Sequence, residues 1–144
     1  MQISKQFKFP MGHRLTFHKE KCYNPHGHNY TVEAIIEGDV DKDGMVIDFD
    51  YLDNILSPTI AKLDHSFWIF SEDKVMLNLF NNKEIKQKPF KTNIVNKEST
   101  AENIAEWIYN EVKPRLSEFK NVKSFKIKVW ETDDCYAEYT NKNI

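Results

Sequence analysis

The stretch KCYNPHGHNY, residues 21–30, places one thiol and two imidazoles within seven positions. Alternate side chains of an extended strand share a face, so the pair His26 and His28 points both imidazoles to one side, close enough for one metal ion to take both. Neutral imidazole suits zinc, and a third nitrogen ligand leaves a coordination position open for substrate. Spacing does not choose that third ligand, because His13, His18 and His65 are all available. Cys22 as a ligand would instead make a closed, structural site. Cys22 also follows Lys19 and Lys21 and would lie near any bound cation, both of which favour the reactive thiolate. Read alone, it is an inert loop cysteine.

Three further features bear on chemistry. In LDHSF, Asp64 directly precedes His65 at a helix end; such a pair can polarise an imidazole for proton transfer, but neighbours on a helix do not face each other. Glu131 ends an otherwise apolar strand face, where a carboxylate is costly unless it meets a cation or a donor-rich ligand. DVDKDGMVIDFD, residues 39–50, imitates the start of a calcium loop with Asp39, Asp41, Asp43 and Gly44. Its twelfth position is Asp50 and not Glu, and no helix precedes it, so a polar turn explains it better.

The elements that must position these residues follow from periodicity. Phe7 and Phe9 alternate with Lys8 in a first strand, and HGHNYTVEAIIEG places His26, His28, Tyr30, Val32, Ala34 and Ile36 on one face of a second. A helix capped by Asp48 carries Phe49, Leu52, Leu56, Ile60 and Leu63, and a shorter one covers Glu72 to Phe80. STAENIAEWIYNEV opens with a capping box from Ser99 to Glu102 and carries Ile104, Ile108, Val112 and Leu116 on one stripe. Pro58 and Pro114 are expected to bend or end these helices. FKIKVWE and CYAEY supply two more strands, with Cys135 as packing. The order strand, strand, helix, helix, strand, strand predicts an α+β fold, an antiparallel sheet with helices on one face.

Length and composition bound the rest. A chain of 144 residues with 40% hydrophobic and 29% charged content is expected to form one soluble domain. Its net charge of −2 gives no case for nucleic acid or membrane partners. Two cysteines, and an N-terminus without an apolar leader, point to the cytoplasm. The Lys/Asn-rich residues 80–93 read as a surface excursion.

In order along the chain, GHRL (12–15), C-x-x-x-HGHNY (22–30), GMVIDF (44–49), LDH (63–65), STAEN (99–103) and WET (130–132) resemble the 6-pyruvoyltetrahydropterin synthase family. WETDDCYAEY and the short gap from Cys22 to His26 are most similar to its queuosine-pathway branch. The resemblance implies a T-fold (tunnelling fold): a four-stranded antiparallel sheet with two main helices on one face, in a single domain 1–144 with a variable excursion at about 71–98. It implies a homo-oligomer, a dimer of trimers with active sites at subunit interfaces. It implies zinc on His13, His26 and His28, Cys22 as proton-abstracting base, and Asp64 with His65 as a relay. It assigns Glu131 to the pterin ring, with Thr100 and Glu102 lining the pterin pocket. The implied reaction converts 7,8-dihydroneopterin triphosphate to a 6-carboxypterin, releasing acetaldehyde and triphosphate; a lyase stopping at the pyruvoyl product, and a non-catalytic zinc module with Cys22 as fourth ligand, are the alternatives. The sequence departs from the family pattern at Met11-Gly12, where Ala or Ser is usual, and at SFWIF (66–70), where an Asn-containing continuation is usual.

Overall fold

The computed structural model describes residues 1–81, 84 and 88–141. In chain order it contains β1 (Gln2–His13), a 3₁₀ turn (Lys21–Tyr23), β2 (His26–Gly38), α1 (Phe49–Leu63), β3 (Ser66–Phe70), α2 (Lys74–Phe80), β4 (Thr92–Val95), α3 (Ala101–Leu116), β5 (Val122–Trp130) and β6 (Tyr136–Thr140). The four expected strands form an antiparallel ribbon in the order β1, β2, β5, β6. Two more strands extend it, giving six in the order β4-β3-β1-β2-β5-β6. Both additions are parallel, and β3 meets β1 only at Met11 and Gly12. The four-stranded expectation therefore falls short. SFWIF is a brief apolar run immediately after a helix, where periodicity does not separate strand from helix end, and four residues at Thr92–Val95 are too few to register.

Alternation builds the core. Phe9, Met11 and His13 of β1 and Tyr30, Val32, Ala34 and Ile36 of β2 turn to one face, joined by Phe125, Ile127 and Val129 of β5. The helices cover that face with Leu52, Leu56, Ile60 and Leu63 from α1 and Ile104, Ile108, Val112 and Leu116 from α3, as predicted, whereas Phe49, expected on the α1 stripe, is exposed at the helix start. α1 is capped by Asp48, whose carboxylate accepts from the Asp50 amide at 2.8 Å. Neither proline ends its helix: α1 runs through Pro58, and α3 through Pro114 to Leu116. The buried stripe on both sides of each proline outweighs the lost hydrogen bond.

One local expectation changes. The α3 cap is Thr100, accepting from the Asn103 amide at 3.3 Å. Ser99, expected as the cap, is buried one residue earlier and faces the histidines. Residues 71–98, expected as a variable excursion that opens with a short helix, hold α2 and β4; residues 82, 83 and 85–87 of that stretch lie outside the described ones. The acidic loop before α1 winds on itself. Asp41 accepts from the amides of Asp43 and Met45, and Gly44 turns the chain at φ 85°, as a polar turn requires. Among the described residues, no helix is long and apolar enough to cross a membrane.

Candidate metal centre and active site

His13 ends β1 directly opposite His26, the first residue of β2. Two residues on, His28 shares the core face of β2, so three imidazoles meet at one end of the ribbon. One ligand nitrogen from each lies within 4.8 Å of the others. The rings sit edge to face or tilted, with centroids 4.5–5.2 Å apart. Cys22 is outside this cluster, as are His18 and His65.

Hydrogen bonds fix how these rings present their lone pairs. His13 Nδ1 lies 3.0 Å from the Ser99 carbonyl, and His26 Nδ1 lies 2.7 Å from the Asn24 carbonyl. A carbonyl only accepts, so both Nδ1 atoms carry the hydrogen and both Nε2 atoms carry lone pairs. Those two Nε2 atoms are 3.1 Å apart. Two facing lone pairs repel unless a proton or cation lies between them. His28 Nε2 is buried and makes no hydrogen bond, which is costly unless something unlike a protein donor meets it. The donor set fits a divalent metal with imidazole preference. The charged form of His13 is disfavoured first by burial, which lowers its pKa to about 4, with the neighbouring imidazoles adding to the effect. Burial likewise lowers His28, opposed by the Glu131 carboxylate. Neutral imidazoles are the state in which a metal is bound.

Around this cluster stand the other candidates. Glu131 follows the end of β5, and its Oε1 lies 3.6 Å from His28 Nε2. Together with Thr100, Glu102, Leu15, Cys135 and Tyr136 it lines a cleft of about 280 Å³. Glu131, expected at the pterin ring, and Thr100 and Glu102, expected to line its pocket, therefore border one cavity. Cys135, expected as packing, is exposed and lines it too, because the tight turn Glu131–Cys135 lifts it off the sheet. Thr100 also spends its hydroxyl oxygen on the α3 cap. A second cleft, of about 310 Å³, is lined by His28, Asn29, Gly12 and Gly27 on one side and His65 and Ser66 on the other.

Asp64 and His65 do face each other, because His65 has left the helix. At φ 53° it is in the left-handed region, where non-glycine residues are uncommon. Its amide donates to the Pro10 carbonyl at 2.9 Å, and its ring turns back so that Nδ1 lies 2.8 Å from Asp64 Oδ1. Lys91 fixes this corner from the following segment, donating to the carbonyls of Ala61 and Asp64. Cys22 sits half-buried on the 3₁₀ turn, its carbonyl accepting from the Leu15 amide at 2.8 Å.

The two departures from the family pattern form one contact. Gly12 pairs with Phe67, and a Cβ at Gly12 would lie 2.5 Å from the Phe67 ring. Sequence reasoning missed several supports. Ser99 was visible only as a cap, although its hydroxyl lies 3.0 Å from His13 Nδ1 and donates to the Arg14 carbonyl. Tyr30, next on the face carrying His26 and His28, holds its phenol 3.4 Å from the His13 ring. Burial, then the nearby Glu131 and Cys22, hold that phenol protonated well above its ordinary range. Period-two alternation carried the signal for Tyr30; nothing local did so for Ser99.

Comparison with known proteins matches residues 2–142 to the family model described as 6-pyruvoyl tetrahydropterin synthase. The chain is 37% identical over 150 residues to a 6-carboxy-5,6,7,8-tetrahydropterin synthase of Haemophilus influenzae, covering 96% of this chain and 97% of the relative. A protein of the same name from Aquifex aeolicus is 35% identical, with 96% of each chain covered. Among solved structures, the 6-pyruvoyl tetrahydropterin synthase of Plasmodium falciparum superposes with a TM-score of 0.74 at 20% identity, over 98% of this chain and 97% of that one. At that identity the likeness speaks for the fold.

Proposed function

Because the chain belongs to the 6-pyruvoyl tetrahydropterin synthase family and is a pterin synthase of the lyase type, we propose that it is a zinc-dependent 6-carboxy-5,6,7,8-tetrahydropterin synthase. It converts 7,8-dihydroneopterin triphosphate and water to the 6-carboxypterin, acetaldehyde and triphosphate, in the 7-deazaguanine branch that leads to queuosine. The shared name of relatives covering nearly the whole chain supports this product. The observation that carries the metal-dependent chemistry is the pair of lone-pair-bearing Nε2 atoms 3.1 Å apart beside the unpartnered His28 Nε2.

In this reading His13, His26 and His28 would hold zinc, which when bound would supply Lewis-acid chemistry at the substrate's side-chain hydroxyls. Cys22 takes the carbon-bound proton beside those hydroxyls as thiolate. His65, oriented by Asp64 at Nδ1, returns a proton from Nε2. Glu131 accepts hydrogen bonds from the ring N–H groups of the pterin in the cleft it shares with Thr100 and Glu102. The fold supports assembly as well: among the described residues β1 has no strand partner from Gln2 to Phe9 on its β3 side, and β6 is an edge strand. A dimer of trimers that closes these edges into a barrel is the expected form. The two free thiols suit a reducing, cytoplasmic setting.

Zinc-loaded protein incubated with dihydroneopterin triphosphate tests the reading by the mass of its products. Acetaldehyde with a carboxypterin is the expected result. A pyruvoylpterin without acetaldehyde would reassign the product, and no conversion would overturn the enzyme reading for this substrate.

A further inference from the structure

Arg14 and Asp73 form a buried ion pair that the proposed chemistry does not use. Their side chains are 8% and 3% exposed, and the guanidinium grips the carboxylate in a fork, Nε to Oδ2 at 2.6 Å and Nη2 to Oδ1 at 2.7 Å. Such a pair costs desolvation on both sides, and well-packed apolar residues often replace it without loss of stability. Its presence is better explained by what it holds in place.

On one side, Asp73 is anchored twice. It caps α2, accepting from the Met76 amide at 3.1 Å, and its own amide donates to the Phe70 carbonyl. On the other, the Arg14 guanidinium lies over the Tyr23 ring, 4.8 Å from its centroid. Tyr23 is the last residue of the 3₁₀ turn that carries Cys22, and it is 46% exposed. The turn is tied to the same stretch of chain one residue further on, where the Leu15 amide donates to the Cys22 carbonyl.

We infer that the Arg14–Asp73 pair is a positioning device for the Cys22 turn: Asp73 fixes the plane of the Arg14 guanidinium, which clamps Tyr23 and so sets the direction of the neighbouring thiol. Arg14 and Asp73 act through Cys22 and touch no reacting atom. A guanidinium suits this task and an ammonium does not, because the task needs a planar fork on one edge and a flat cation face for the aromatic ring. This inference rests on the assignment of Cys22 as the base.

The test compares the wild type with Arg14→Met/Asp73→Asn, which removes both charges and keeps an α2 cap, and with Tyr23→Leu, a half-exposed change that spares the fold. Hydrogen exchange of the amides in residues 20–24, metal content and steady-state kinetics are measured on each. Both variants are expected to exchange faster in that turn, to keep their zinc, and to lose kcat by about 10- to 100-fold with KM within about threefold, the cost of a misplaced reacting group. Unchanged exchange in the turn, or faster exchange with an unchanged kcat, overturns the inference. Absence of turnover in the wild type would instead fail the functional assignment, while the exchange comparison still decides whether the pair holds the turn.

Discussion

Replacing Gly12 by alanine tests how tightly the histidine end of the sheet is packed. A Cβ there would lie 2.5 Å from Phe67 Cδ2 and 2.9 Å from Cε2. Carbon atoms settle at about 3.5–4.0 Å, so the contact is short by about 1 Å. The ring has little room to retreat. Phe67 pairs with Gly12 at one of only two points joining β3 to β1, and its other side packs on Phe80 with centroids 4.9 Å apart. Overpacking of this kind costs about 1–3 kcal/mol. Urea denaturation of metal-free protein measures it, for G12A, F67A and the double variant. G12A is expected to lose about 1–3 kcal/mol, and the same change in the F67A background less than about 0.5 kcal/mol, since truncation to alanine removes the δ and ε carbons that a Cβ would meet. The difference is a coupling energy of the size seen for residues in contact. An alanine equally costly in both backgrounds would refute the packing account, and so would an alanine that costs nothing in either.

Further outcomes follow from the same geometry. Cys22→Ala is expected to keep zinc and lose turnover, whereas His28→Ala loses the metal; metal analysis beside activity separates them, and zinc loss in both would favour Cys22 as a ligand. Stability of the metal-free protein should fall with acid: the His13 pKa is about 4 in the fold against about 6.5 unfolded, so the unfolded chain binds the proton first. The fold is then expected to lose up to about 3 kcal/mol between pH 6.5 and pH 4, and substituting His13 should flatten that slope. Ser99→Ala removes a hydroxyl but leaves the carbonyl that orients His13. Its zinc affinity, measured by competition with a chelator, should drop by less than about tenfold, the low end for such supports.

Much of this arrangement is legible in the residues because one rule governs it. Alternation on β2 puts His26, His28 and Tyr30 on the core face, and the same rule on β1 brings His13 there through Phe9 and Met11. The helices were readable for the same reason, since their apolar stripes are long and regular. What escaped depends on long-range contact. The parallel pair β3 and β4 is too short to show a period, and it exists because β1 offers Met11 and Gly12 as an edge. The Asp64–His65 contact needed a left-handed residue that no spacing predicts. Ser99 lies 86 positions from His13. Residues 71–98, which look like decoration, supply Asp73 to the Arg14 guanidinium and Lys91 to the corner at Asp64 and His65.

The way His26 is aimed has a consequence for how such sites drift. Its ring is oriented by the carbonyl of Asn24, not by the Asn24 side chain, and that carbonyl is held by backbone at φ −76° and ψ 145°. Extended geometry is what a following proline imposes on the residue before it. Position 24 is therefore free to change its side chain without turning the ligand, while Pro25 is not free to go. Relatives that differ at the first position and keep the second should hold their metal alike, so the inherited unit is the shape of the main chain, which no residue of the ligand set records.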